Sequence, residues 1–158
     1  VRNLEYQRLF ESMITTDLEG FLKLLLVVAI VAPLTEEMTF RGILQPLLEK
    51  AWGRGVAILL PAILFSAYHR NVEQYLAAFL LGLVLGWVRS VTGSFWLCVL
   101  GHAVHNAVTA SAMAYLPSLA GPPSQVPPWP FWAGGLLMAL AAARLLGRRA
   151  LKTPPDHG

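Results

Sequence analysis

The 158-residue chain carries 12 Lys and Arg against 9 Asp and Glu, a formal net charge of +3. Hydrophobic residues make up 56% of the chain and charged residues only 13%, whereas average soluble chains carry about 25% charged residues. The basic residues are scattered or terminal and form no stripe interleaved with aromatics, which argues against a nucleic-acid partner. The single cysteine, Cys98, excludes an intrachain disulfide and a CxxC metal site.

Five apolar segments follow a polar lead-in at residues 1–20, which predicts an amphipathic interfacial helix. The segments span approximately residues 21–48, 56–69, 75–91, 95–116 and 131–146. No Asp, Glu, Lys or Arg occurs from Ser90 to Ala143, and a soluble domain would need charged faces over so long a span. The sequence therefore predicts an all-α fold, a polytopic transmembrane helical bundle with an intramembrane active site.

The first apolar segment runs into two adjacent carboxylates and an arginine, Glu36, Glu37 and Arg41. Such groups at bilayer depth cost about 2.5–3.5 kcal/mol each on insertion scales, so they usually face a cavity or a partner. Glu37 and Arg41 are four residues apart, which lets them pair on one helix face, while Glu36 points about 100° away. The sequence predicts that Arg41 holds one carboxylate while the other faces a pocket. The alternative is an interfacial charge cluster that caps the helix, and Pro33 predicts a kink just before it.

Polar side chains recur on two later apolar segments. His69 ends the second segment, and His102 and Asn106 share one helix face on the fourth. A lone histidine in an apolar helix is more often a hydrogen-bonded core residue than a catalyst. Polar groups on three separate apolar segments, however, are satisfied at least cost when they come together. We therefore expect Glu36, His69, His102 and Asn106 to converge.

The rest of the chain predicts turns and packing. Gly53 and its neighbours predict a turn after the first segment, and Gly82 and Gly86 have the GxxxG spacing of closely packed helices. Residues 117–130 hold six prolines and no charges, which predicts an extramembrane connection. The basic residues of the tail at 148–158 predict a cytoplasmic C-terminus.

A carboxylate and an imidazole together can hold and deprotonate a water that attacks a carbonyl. An imidazole and an amide on another helix can donate to the developing oxyanion. A metal-assisted alternative uses Glu36, His69 and His102 as zinc ligands with water in the open position. Because the HExxH pattern of helix-borne zinc proteases is missing, the metal-free form, which requires no cofactor, is favoured. No Ser-His-Asp arrangement is supported, since no Asp occurs between Asp17 and Asp156.

Three motifs in order, EExxxR at Glu36–Arg41, FxxxH at Phe65–His69 and HxxxN at His102–Asn106, resemble the type II CAAX prenyl protease family. This family is also called the ABI or CPBP intramembrane endopeptidases. Each motif alone is weak, but the three in order on apolar segments are specific. The resemblance covers approximately residues 32–110 and extends to flanking positions: Pro33, Phe40, Gly42, Ser94 and Trp96.

The resemblance implies a role for each matching residue. Glu36 would activate water together with His69, and His102 and Asn106 would stabilise the oxyanion. Supporting roles fall to three further residues: Glu37, Arg41 and Phe65. Residues 21–147 would form the protease domain, and the partners would be membrane lipid and a membrane-associated substrate, either a prenylated CAAX-type protein or a bacterial peptide. The expected location is a multi-pass position in a membrane, most simply the bacterial plasma membrane.

Two other classes of function fit the same residues. One is a non-catalytic bacteriocin-immunity or scaffold protein of the same fold, and the other is an ion-coupled carrier that uses the buried Glu and His. The absence of an inverted repeat weighs against the carrier. Relatives usually have further transmembrane helices upstream, and the sequence opens on Val1 rather than Met. We therefore expect it to be a part of a longer protein.

Overall fold

The computed structural model of the protein describes residues 17–69 and 72–115, where all regular structure is helical. One long helical stretch changes its winding along its length, and two further helices follow. The elements are α1 (Leu18–Leu25), the π-helical segment π1 (Leu26–Val31), α2 (Ala32–Glu37), the π-helical segment π2 (Met38–Leu44), α3 (Gln45–Tyr68), α4 (Val72–Thr92) and α5 (Phe95–Tyr115). The all-α prediction is confirmed for these residues.

Local sequence signals set where these helices begin and turn. Asp17 caps α1, because its carboxylate accepts from the N–H of Gly20 at 2.9 Å. Gly53 interrupts α3 at φ 81° and ψ 172°, and Gly93 separates α4 from α5 at φ 66°. A positive φ is readily adopted only by glycine. The turn predicted at Gly53 is therefore present.

Neighbouring helices in the bundle run antiparallel, as two sets of contacts between them show. Gly82 and Gly86 of α4 face Ala62 and Ile58 of α3 in reversed order, so these two helices are antiparallel. On α5, His102 meets Glu37 and Asn106 meets Val28, so α5 is antiparallel to the stretch from α1 to π2. Further apolar contacts close the bundle: Phe21 with Tyr115 at 4.9 Å, and Leu85 with Val88 and Cys98.

The distribution of polar and apolar side chains is inverted relative to a soluble protein. Glu37, Arg41, Gln45 and His102 are almost fully buried. Large apolar side chains point outwards from all the helical rods, for example Leu22, Ile30, Leu47, Leu59, Leu76 and Leu100. Groups of ionisable residues inside and apolar residues outside suit a bundle surrounded by lipid.

Two helical stretches among the described residues are long and apolar enough to cross a bilayer. They are Leu18–Tyr68 and Gln74–Thr92, with mean hydropathies of 2.0 and 1.6. The described residues of the first four predicted apolar segments lie within these stretches and α5, apart from His69, which directly follows α3. The fifth segment at 131–146, the proline-rich connection, the tail at 148–158 and most of the lead-in at 1–20 lie outside the described residues.

Candidate active site

The α2 segment that carries the two glutamates lies between two π-helical segments, each followed by a proline. At the end of π1, the N–H of Ala32 donates to the carbonyl of Val27, five residues earlier. The next donor in that register would be residue 33, which is a proline without an N–H. The carbonyl of Val28 therefore has no donor in its own helix, and the side-chain amide of Asn106 donates to it at 2.7 Å.

The same arrangement recurs at the second π-helical segment, π2, which Pro46 follows. At the end of π2, the N–H of Gln45 donates to the carbonyl of Phe40. Residue 46 is again a proline, so the carbonyl of Arg41 lacks its donor. Here Nε of Arg89, from α4, donates to that carbonyl at 3.3 Å. Because a π-helical turn contains more residues than an α-helical turn, the side chains after it are rotated relative to those before it. Such segments are frequent at functional sites.

Glu37 is the centre of the buried polar cluster. Its Oε1 accepts from Nη1 of Arg41 at 2.9 Å and lies 2.8 Å from Nδ1 of His102. Both members of the Glu37–Arg41 pair have 0% of their side-chain surface exposed. Because the ionised carboxylate only accepts hydrogen bonds, Nδ1 of His102 carries the hydrogen. The other ring nitrogen, Nε2, is thereby turned away from Glu37.

Glu36 is the second carboxylate, and it meets the opposite edge of the same imidazole. Its Oε2 lies 3.7 Å from Nε2 of His102, and its side chain is 18% exposed. Within the described part of the chain, this oxygen is buried and has no hydrogen-bond partner. Arg41 therefore pairs with Glu37, as the spacing predicted, while one oxygen of Glu36 and one of Glu37 lack a hydrogen-bond partner among the described residues.

His69 lies at the end of α3 and is half-buried. Its Nδ1 donates to the carbonyl of Phe65 at 2.8 Å, since a carbonyl can only accept. The buried Phe65 ring stands between the two imidazoles, with centroids 4.7 Å from His69 and 5.5 Å from His102. His69 also lies within electrostatic range of the Glu36 carboxylate. Both histidines therefore use Nδ1 to hold their ring and leave Nε2 for other contacts.

Of the four residues predicted to converge, Glu36 lies beside His102, whereas His69 lies across the Phe65 ring and the Asn106 amide bonds to Val28. Glu36, Glu37 and Phe65 contact the His102 imidazole directly. Asn106 lies one turn further along α5, and one of its amide hydrogens is used by the Val28 carbonyl.

Several residues of the cluster were not predicted from the sequence. Nη2 of Arg41 donates to the carbonyl of Gly82 at 2.9 Å, and Nε2 of Gln45 donates to that of Gly86 at 2.8 Å. The GxxxG pair therefore supplies hydrogen-bond acceptors as well as a close packing surface. Gln45 had a signal in the sequence, since it lies four residues after Arg41 on the same face of an apolar segment. Arg89 had none beyond its charge.

The zinc alternative can be compared with the positions of its proposed ligands. Across residues 17–69 and 72–115, no three His, Cys, Asp or Glu side chains are arranged to hold one metal ion. Glu36, His69 and His102 thus have suitable donor atoms but do not surround one ion position.

Comparison with known proteins gives one family. The family model described as Type II CAAX prenyl endopeptidase Rce1-like matches residues 18–108. This range exceeds half of the chain and contains every residue of the polar cluster. No curated protein and no solved structure matches the chain. The chain belongs to the Rce1-like family of type II CAAX prenyl endopeptidases.

Proposed function

We propose that the protein is an intramembrane endopeptidase that hydrolyses a peptide bond of a membrane-associated substrate, with Glu36 as the general base. The observation that carries the proposal is the pair formed by Oε2 of Glu36 and Nε2 of His102, 3.7 Å apart. A carboxylate oxygen and an unprotonated ring nitrogen are both acceptors and do not bond to each other, but a water across this gap can donate to both.

The state of His102 supports this water position. The proposed acting form of His102 has its single ring hydrogen on Nδ1, bonded to Glu37, so that Nε2 presents a lone pair towards Glu36. A water between them would donate one hydrogen to each acceptor and leave an oxygen lone pair for attack. The sequence motifs assign the water to Glu36 and His69, whereas the distances favour Glu36 and His102.

The proposed reaction is the hydrolysis of a peptide bond by one water molecule. The water oxygen bonds to the peptide carbonyl carbon while one water proton moves to Glu36. Glu36 then gives this proton to the amide nitrogen, the C–N bond breaks and the amine leaves. The second water proton passes from the new carboxylic acid to Nε2 of His102, the acceptor to which that hydrogen is bonded. His69, within electrostatic range of Glu36, is proposed to help Glu36 hold the water. A base and an acid in one carboxyl group need no metal and no nucleophilic side chain.

Asn106 and Arg41 complete the proposed site in different ways. An amide group has two N–H donors, and only one of those of Asn106 is used by Val28. The second is proposed to donate to the oxyanion, an interaction of the kind whose loss costs about 10²–10³ in rate. Arg41 holds the Glu37 carboxylate in place, and Glu37 in turn holds the hydrogen of His102 on Nδ1.

The proposed setting is a multi-pass location in a bacterial plasma membrane, with lipid around the apolar outer surface. A prenylated CAAX-type protein is the substrate class that the family name suggests, and a bacterial membrane-associated peptide is the alternative. Both place the scissile bond near the bilayer, where the buried cluster lies between apolar helices. Residues 21–147 are proposed as the catalytic domain.

The decisive experiment compares new peptide termini in membranes that express the wild type, Glu36→Gln or Glu49→Gln. Glu49 is an exposed glutamate on the same helical stretch, so its variant controls for the loss of one charge. We expect termini that appear with the wild type and Glu49→Gln and are absent with Glu36→Gln. Residual cleavage above about a tenth of wild type in the Glu36 variant would contradict its role, because loss of a general base typically costs 10²–10⁴-fold.

The same variants distinguish the endopeptidase from the other two classes of function. Identical termini in all membranes, with all proteins folded, would favour an immunity or scaffold role. Ion flux across liposomes that is abolished by Glu36→Gln would favour the carrier.

A further inference from the structure

Arg89 contacts the backbone at Arg41 and at the turn before α5, although it belongs to none of the three motifs. Its Nε donates to the carbonyl of Arg41, whose side chain holds Glu37. Its Nη1 donates to the carbonyl of Gly93, and the N–H of Gly93 returns to the carbonyl of Arg89 at 2.9 Å. Gly93 is the left-handed residue from which α5, with His102, continues.

The contact with Arg41 fills a need created by Pro46. Arg41 is fully buried, and a buried carbonyl without a donor costs about 1–3 kcal/mol. Because residue 46 has no N–H and that of Gln45 is used by Phe40, the helix cannot supply the donor itself. Arg89 supplies it from α4. The backbone that orients the Arg41 guanidinium is therefore fixed by a side chain from another helix.

We propose that Arg89 is a positioning residue. It holds the π2 backbone at Arg41 and the start of α5 in one fixed relation, so that Glu37 and His102 meet at hydrogen-bond distance. Its activity test rests on the proposed function, whereas its contact with the Pro46-exposed carbonyl is tested without any reaction.

The test is a double-mutant cycle on the full chain in detergent micelles. Arg89→Met removes the donor, and Pro46→Ala returns an N–H to the helix register that serves the Arg41 carbonyl. Arg54→Met, at an exposed position in the turn beside Gly53, is the control for the loss of a positive charge. The readouts are thermal unfolding and the cleavage of a farnesylated fluorogenic CAAX peptide, with kcat counted per folded molecule.

We expect Arg89→Met to lower kcat about tenfold, the equivalent of one unsatisfied buried carbonyl, with KM changed by less than about twofold. Pro46→Ala alone should behave like the wild type, as should Arg54→Met. The double variant should recover most of the kcat and most of the decrease in melting temperature that Arg89→Met causes alone. Recovery should be incomplete, because the bond to Gly93 is still lost.

Three results would overturn the inference. The first is a wild-type kcat per folded Arg89→Met molecule, which would leave Arg89 a role in stability alone. The second is a decrease in kcat or in melting temperature on Arg89→Met that is equally large in the wild-type and Pro46→Ala backgrounds. The third concerns the case in which the wild type shows no Glu36-dependent cleavage of the peptide, so that the proposed function fails. In that case thermal unfolding decides, and additive changes in melting temperature would show that Arg89 does not serve the Arg41 carbonyl.

Discussion

Nδ1 of His102 lies 2.8 Å from Oε1 of Glu37, although 65 residues separate them in the chain. The carboxylate is held in turn by Arg41, and all three side chains are buried. This contact fixes which ring nitrogen carries the hydrogen and directs the other towards Glu36. One glutamate therefore orients the histidine, and its neighbour in the sequence, Glu36, is the general base that we propose.

The Glu37–Arg41 pair predicts a strong effect on stability. Glu37→Gln leaves a buried guanidinium without its counter-charge, and we expect a loss of about 3–5 kcal/mol. Replacing both partners, Glu37→Gln with Arg41→Met, should cost less than the single change, since no unpaired charge remains. Thermal unfolding in detergent measures both. Glu19→Gln is the control, because its pair with Lys23 is about three-quarters exposed on each side and should contribute less than about 1 kcal/mol. Equal losses for the single and double variants would contradict the buried pairing.

The two histidines predict different combinations of activity and stability. His102→Ala removes a buried ring in contact with both glutamates, so cleavage and melting temperature should both fall. His69→Ala, at a half-buried helix end, should abolish cleavage with little change in melting temperature. His105→Ala, which removes a half-buried imidazole from the same helix as His102, serves as the control and should keep both. Wild-type cleavage by His69→Ala would remove His69 from the catalytic set.

Asn106 has two separable functions in this proposal, one for the Val28 carbonyl and one for the oxyanion. Asn106→Ala should lower cleavage by about 10²–10³-fold, as for other oxyanion donors, and also lower stability. Adding Pro33→Ala supplies a backbone N–H for the Val28 carbonyl, so stability should recover while cleavage stays low. Cleavage rates and melting temperatures of the single and double variants test this. Recovery of cleavage in the double variant would mean that Asn106 acts only through the π1 backbone.

Gly82 predicts a steric effect. A Cβ at this position would lie 2.9 Å from the Cα and 3.0 Å from the Cβ of Ala62, so α3 and α4 would have to separate. We expect Gly82→Ala to destabilise the protein by about 1–3 kcal/mol, as for other overpacked contacts. Gly55→Ala is the matched control, since a Cβ there meets nothing within 4 Å, and a helical alanine is favoured over glycine. Equal melting temperatures for the two variants would contradict the close helix contact.

Metal removal tests the choice between the two mechanisms. In the metal-free form, cleavage of the farnesylated peptide should survive dialysis against a chelator, and the purified protein should contain no stoichiometric zinc. If the chelator abolishes cleavage and added Zn²⁺ restores it, Glu36, His69 and His102 become the ligand set, with the metal-bound water as nucleophile.

Much of the site could be predicted from short-range spacing. The i, i+4 relation of Glu37 and Arg41 identified the ion pair, because residues four apart share a helix face. The three motifs predicted His69, His102 and Asn106 as site residues, and the apolar background predicted that these polar groups would converge. Of the three, His102 lies beside Glu36. Gly53 indicated the turn within α3, because glycine readily adopts the positive φ that this turn requires.

Other features were decided only by the tertiary structure. Spacing cannot show that His102, rather than His69, lies closest to Glu36, because that distance depends on how α5 packs across α2. Nor can it show that Asn106 and Arg89 donate to the carbonyls of Val28 and Arg41. The two prolines make those carbonyls available, which is a local property that the sequence determines. Which side chains satisfy them depends on the register between helices, and that register is set by the close contacts of the whole bundle.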